Sequence, residues 1–111
     1  MTIVIVRTWR GATRPEDVDR YVDYMKLTGL KQYRETEGNL GAMMLLRPLT
    51  DAVEVLIISL WDSLDAVRRF AGDDYEQAVF YPEDDDFLVD RDLHVTHHEV
   101  AAARLPFLDE S

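Results

Sequence analysis

All three histidines of this 111-residue chain fall in one stretch, RDLHVTHHEV at residues 91–100, as His94, His97 and His98. Imidazoles at that density suit either metal ligation or proton transfer near neutral pH. The backbone that carries them decides which. On a helix the three would share one face and could close on an ion. The flanking Val95, Thr96 and Val100 are strand formers. On a strand, neighbours on one face stand ~6.7 Å apart, so His94 and His98 lie ~13 Å apart while His97 points the other way. Zinc needs its nitrogens ~2.1 Å from a common centre. No metal site is therefore expected, and His97 or His98 is the candidate general base.

A neighbouring strand carrying Arg7, Thr8 and Arg10 would set Arg7 or Thr8 against His94, Thr96 and His98 as a small polar cluster. The plainer arrangement pairs Arg7 with Glu99 or another buried acid and leaves the histidines as satisfied interface residues. Aromatic candidates carry similar alternatives. Trp61 is a pocket wall or ordinary packing, and Tyr75 and Tyr81 flank the expected pocket mouth, where either hydroxyl can donate to a ligand. Tyr21, Tyr24 and Tyr33 read as helix packing or surface, and Met43 and Met44 as core filler.

The elements that must position these residues follow from patterning. Residues 2–10 alternate Ile3, Ile5, Arg7 and Trp9 with Val4, Val6, Thr8 and Arg10, a strand that Gly11 should end. In TRPE, Thr13 and Glu16 have capping-box spacing with Pro15 in the first turn. The helix that follows should run to about Thr36 and stop at Gly38. LGAMMLLR (40–47) and VEVLIISLW (53–61) are strands. Ser63 can cap a helix bearing Leu64, Val67 and Phe70 and ending at Gly72. YEQAVFY (75–81) suggests a short helix, EDDDFLVD (83–90) a solvated acidic loop, residues 92–100 the last strand and 101–111 a tail.

The resulting order, strand–helix–strand–strand–helix–strand, is the ferredoxin-like β-α-β-β-α-β arrangement of an α+β domain. One domain over residues 1–111, with its core at about 2–100 and a four-stranded antiparallel sheet, is expected. Two helices cover one sheet face. In the third strand Val53, Val55 and Ile57 lie on one side and Leu56, Ile58 and Leu60 on the other, so the second face also needs a cover. A homodimer pressing its two sheets together supplies one, with the LPFL tail able to reach the partner.

Composition narrows the function classes. Hydrophobic residues make up 47% and charged residues 31%, a folded rather than disordered balance. A net charge of −10 argues against nucleic acid and anionic membranes, which call for a basic footprint. The chain has no cysteine, and a cytoplasmic setting is expected. No stretch approaches the ~20 apolar residues of a membrane helix.

LWDSLDAVRRFAGDDYEQAV (60–79) and the terminal HHEV resemble the antibiotic biosynthesis monooxygenase type of the dimeric α/β-barrel superfamily. The resemblance implies a pocket between helices and sheet or inside the barrel, and a small apolar or aromatic ligand. It also implies oxygenation of phenolic or quinol-type compounds without a cofactor. In that chemistry the protein deprotonates the substrate, whose anion then reduces oxygen. Trp61 is the residue carried over. The chain departs from the family's strand asparagine, since its single asparagine, Asn39, stands at a helix–strand junction. Where the haem-degrading branch has a tryptophan and an axial histidine, this chain has Phe70 and VFYP (79–82), so haem degradation is not expected. A non-catalytic dimeric binder of a small hydrophobic ligand is the alternative, and an isomerase of the same fold a further one.

Overall fold

A computed structural model describes residues 3–106. Its strands are β1 (Ile5–Thr13), β2 (Asn39–Pro48), β3 (Val53–Trp61), β4 (Leu88–Arg91) and β5 (Thr96–Glu99). The helices are α1 (Val18–Leu27), α2 (Gly29–Glu35), α3 (Leu64–Ala71) and the single turn α4 (Asp84–Phe87). All pairings are antiparallel in the order β2-β3-β1-β4, with β5 also on β1. The α+β ferredoxin-like layout thus stands, with the first strand between the third and the last. No described helix is long and apolar enough to cross a membrane.

Alternation on the two central strands makes the layers. Val55, Ile57 and Trp61 of β3 are buried beneath the helices with Ile5 of β1, and they meet Tyr21, Tyr33, Val67 and Phe70. The opposite face carries Val4, Met43 and Leu45, which remain 39%, 49% and 41% exposed. At one end of that face Glu54 takes Arg10 and Arg47, each at 2.9 Å. These hydrogen bonds, Arg47's first, push its carboxyl down to about 2.

Several local expectations are corrected. β1 runs through Gly11 to Thr13, where the chain remains paired with β3 and β4. Thr13 therefore belongs to the sheet and forms no capping box, and the following turn is held by Asp17, which accepts from Arg14 and Arg20. The first helix breaks at Thr28, whose hydroxyl donates to the Tyr24 carbonyl at 2.9 Å in competition with the backbone ladder. Residues 75–81 are not helical, and 83–90 are not a loop, since α4 and β4 occupy most of that segment.

The last strand is split. Asp92 N–H still donates to the Arg10 carbonyl at 2.9 Å, but the chain then leaves β1. Ala78 N–H donates to the Leu93 carbonyl (2.9 Å) and Val95 N–H to the Glu76 carbonyl (2.8 Å), so 93–95 pairs with 76–78 before β5 returns to β1. Of the tail expected to reach a partner, Phe107 and Leu108 lie outside the described residues.

Ser63 caps α3 as its position suggests, accepting from Ala66 N–H at 3.1 Å, and Gly72 ends that helix at φ 86°. Gly38 turns α2 into β2 at φ 92°, and a Cβ there would fall 2.4 Å from that of Ala66. Gly38→Ala should lower the unfolding free energy by at least about 1–3 kcal/mol, the usual cost of forcing a side chain into this region. Urea titration measures it, and an unchanged midpoint would show that the turn relaxes freely.

Candidate functional site

Arg7 points from the centre of β1 into the helix-covered side and is 3% exposed. Among the described residues it forms no ion pair with a carboxylate. Its partners are neutral. Nη1 donates to the Tyr75 carbonyl at 2.5 Å and to His97 Nε2 at 3.0 Å, while Nη2 donates to the Gln77 carbonyl at 3.2 Å. The guanidinium also stands over the Phe70 ring at 5.7 Å. Burial lowers its proton affinity, which the neighbouring Tyr33 hydroxyl partly opposes, yet an arginine remains charged in such a setting.

That geometry assigns the state of His97. Arginine has only donors, so Nε2 must be the acceptor and Nδ1 carries the proton of a neutral ring. Burial first and the charge on Arg7 second hold the imidazole below its ordinary value. Its register opposite Arg7 places it on the helix side, where it meets Tyr75 edge-on at 5.4 Å. His98 is opposite Val6 and belongs to the other sheet face. His94 lies outside β5 and contacts Gln77 at 3.1 Å. The histidines thus face three environments. Among the described residues no three His, Asp or Glu side chains assemble as a metal site.

Arg7 lines a cavity between the sheet and α1–α2, closed by the irregular segment after α3. Trp9, Tyr33, Phe70, Phe80 and Tyr81 share its wall. Its volume is about 30 Å³, room for a water molecule or two. Trp9 is held across the opening in the last strand, donating from Nε1 to the Asp92 carbonyl at 2.7 Å. The Tyr81 hydroxyl donates to Gln32, and burial pushes its proton affinity up to about 12.

The expected site residues therefore separate. Arg7 and Tyr81 reach the cavity, His97 and Tyr75 stand behind Arg7, and His98 lies across the sheet. Trp61 is wholly buried, donates to Ser59 Oγ at 2.9 Å and packs on Tyr33 and Phe70 without lining the cavity. Of the lining residues that were missed, two carry polar groups beside the cavity. Tyr33 was indistinguishable from ordinary helix packing, although it is buried next to Arg7 and 4.5 Å from Phe70. Asp84 was read with the solvated acidic run, yet it is 3% exposed and lines the cavity. The apolar Phe87 and Leu88 after it were the available signal, because they turn part of that run inward.

No family model matches the sequence, and no curated protein matches it. Among solved structures 14 chains match. One is the crystal structure of a proposed antibiotic biosynthesis monooxygenase from Bacillus cereus, with a TM-score of 0.63 and 15% identity over 94% of this chain and 99% of that one. At such low identity this likeness establishes the fold.

A histidine kept neutral by folding makes stability depend on pH. Unfolded, the imidazole titrates near 6.5, whereas folded His97 resists the proton to lower pH. The unfolded chain then binds more protons below 6.5, so the contribution of His97 is complete above that value and is lost as the pH falls. His97→Gln should flatten this slope relative to the unaltered protein. Urea midpoints across the histidine range test it, and parallel curves for the two proteins would contradict the assigned protonation.

Proposed function

We propose that this chain is a monooxygenase of the antibiotic biosynthesis type, oxidising a small phenolic or quinol-type compound with dioxygen and without a cofactor. The observation that supports it is the buried Arg7 guanidinium, which meets only neutral partners and faces an aromatic-lined cavity. A buried cation of this kind stabilises an anion placed against it, and water is largely excluded from competing. The fold likeness to the Bacillus cereus protein agrees with this reading.

The chemistry needs little from the protein. The bound compound loses a proton and keeps the electron pair as a phenolate or carbanion facing Arg7. That anion transfers an electron to dioxygen, the two radicals join as a peroxide anion, and this takes back the proton to become a hydroperoxide. Loss of water then leaves a carbonyl, so a CH₂ group and one O₂ become C=O and H₂O. His97 serves by holding Arg7, since its Nε2 lone pair is already committed there. Tyr75 fixes the guanidinium through its carbonyl, Tyr81, whose proton goes to Gln32, offers the ligand its hydroxyl oxygen as an acceptor, and Trp61 supports the wall from beneath. A second copy covering the apolar sheet face would place His98 in the shared interface.

The aromatic lining supports one other reading, a binding domain that holds a small apolar compound without turning it over, its side chains moving apart to admit the ligand. Oxygen uptake with hydroquinones and anthrones separates the two. Turnover is expected, and Arg7→Met should lower kcat/KM by about 10²–10³-fold, as loss of an oxyanion-stabilising donor does. Ring compounds that quench tryptophan fluorescence without consuming oxygen would establish the binder instead. Sedimentation at micromolar concentration should show a dimer, and a folded single subunit would remove the proposed sheet-to-sheet pairing.

A further inference from the structure

We infer that Asp84 is the proton acceptor of this cavity, the group that converts a neutral phenol or activated C–H compound into the anion that Arg7 receives. This rests on the proposed role of Arg7. It adds a catalytic residue on another element, at the start of α4, where the acidic run looked like plain surface.

The carboxyl is 3% exposed and its two oxygens differ. Oδ2 accepts from Tyr81 N–H at 2.7 Å, which fixes the side chain's orientation. Oδ1 is buried and has no hydrogen-bond partner. The residue lines the same cavity as Arg7. A carboxylate oxygen removed from water and left without a donor is a strong acceptor for any proton brought to it.

Its surroundings favour that role. Tyr21 and Tyr24 of α1 stand nearby, each with its hydroxyl proton held more firmly than usual, first by burial and then by the charge of Asp84. Asp85 adds negative charge, while Arg91 acts on Asp84 through space but spends its own bond on Asp85 at 2.7 Å. Burial is the largest influence and raises the carboxyl above the ordinary aspartate range, towards the substrates it must deprotonate. The Tyr24 hydroxyl donates to Glu83 at 3.2 Å, so its proton is not given to Asp84.

The step balances within the site. The O–H or C–H bond of the substrate breaks, the proton bonds to Oδ1, and the electron pair stays on the substrate. A negative charge moves from a desolvated carboxylate to a position beside a guanidinium. The net charge of the cavity is unchanged.

The probe is 4-nitrophenol, used at a pH where it is neutral in free solution, because its absorbance distinguishes phenol from phenolate. With the wild-type protein the bound probe should absorb as phenolate. Calorimetry in buffers of different ionisation enthalpy should meanwhile show almost no proton released. In Asp84→Asn, which keeps an acceptor for Tyr81 N–H, the bound probe should either remain phenol or appear as phenolate with about one proton released to the buffer. Asp84→Glu retains the carboxylate and should behave as wild type, so the comparison survives if the asparagine variant fails to fold. Phenolate bound by the wild type with full proton release overturns the role of Asp84 and leaves that of Arg7 intact. Proton-neutral phenolate in Asp84→Asn does the same. A probe that binds as neutral phenol, or not at all, overturns both.

Discussion

A guanidinium buried in the centre of a sheet with no carboxylate to neutralise it constrains everything around it. Removing such a charge from water costs several kcal/mol unless its donors are met. Arg7 meets that demand with two backbone carbonyls, one imidazole nitrogen and the face of Phe70. The carbonyls belong to Tyr75 and Gln77, so the cation anchors the irregular stretch after α3 to β1. Burial, and then the charge of that cation, keeps His97 neutral. The other buried ion of this face, Asp84, stands on a different element and has one oxygen unused. By contrast, Asp17, equally buried, is flanked by Arg14 and Arg20 and has nothing left to offer a ligand. Buried charge is structural where it is paired and available for chemistry where it is not.

The aromatic residues divide along the same line. Trp61, Tyr33 and Phe70 form one packed group, with Trp61–Phe70 ring centroids 5.8 Å apart. Such residues bury large areas and set the shape of a core. Here the group forms a rigid floor, and only its edges at Tyr33 and Phe70 open to the cavity beside Arg7. Trp61 influences the site through that floor. A substitution there would act by repacking the group and not by removing a ligand contact.

How much of this was legible depended on how local the cause was. Alternation along β1 and β3 placed Arg7 on the same side as Ile5, and that side is the covered one. Gly38, Ser63 and Gly72 act through their own backbone or the next turn, and each does what its type implies. The period-two spacing also separated His97 from His98, although it did not show which face held Arg7's partner. The misread segments depend on contacts far apart in the chain. Residues 75–81 have helical composition, but Arg7 and the 93–95 stretch claim their backbone groups and keep them out of a helix. Likewise Asp84 is one acid in a row of similar ones, and only the packing of Phe87 and Leu88 singles it out. Periodicity cannot report hydrogen bonds made across seventy residues.

The interruption in the final strand has a mechanical consequence. An unbroken edge strand resists opening along its whole length, because each ladder bond is supported by the next. On this side of β1 the ladder is two short runs, and the chain between them is tied to a loop by a few backbone bonds. Fewer ladder bonds at 92–95 lower the cost of local opening there relative to the continuous β1–β3 pairing. The final strand thus has its fewest ladder bonds where the Trp9 indole is tied to it.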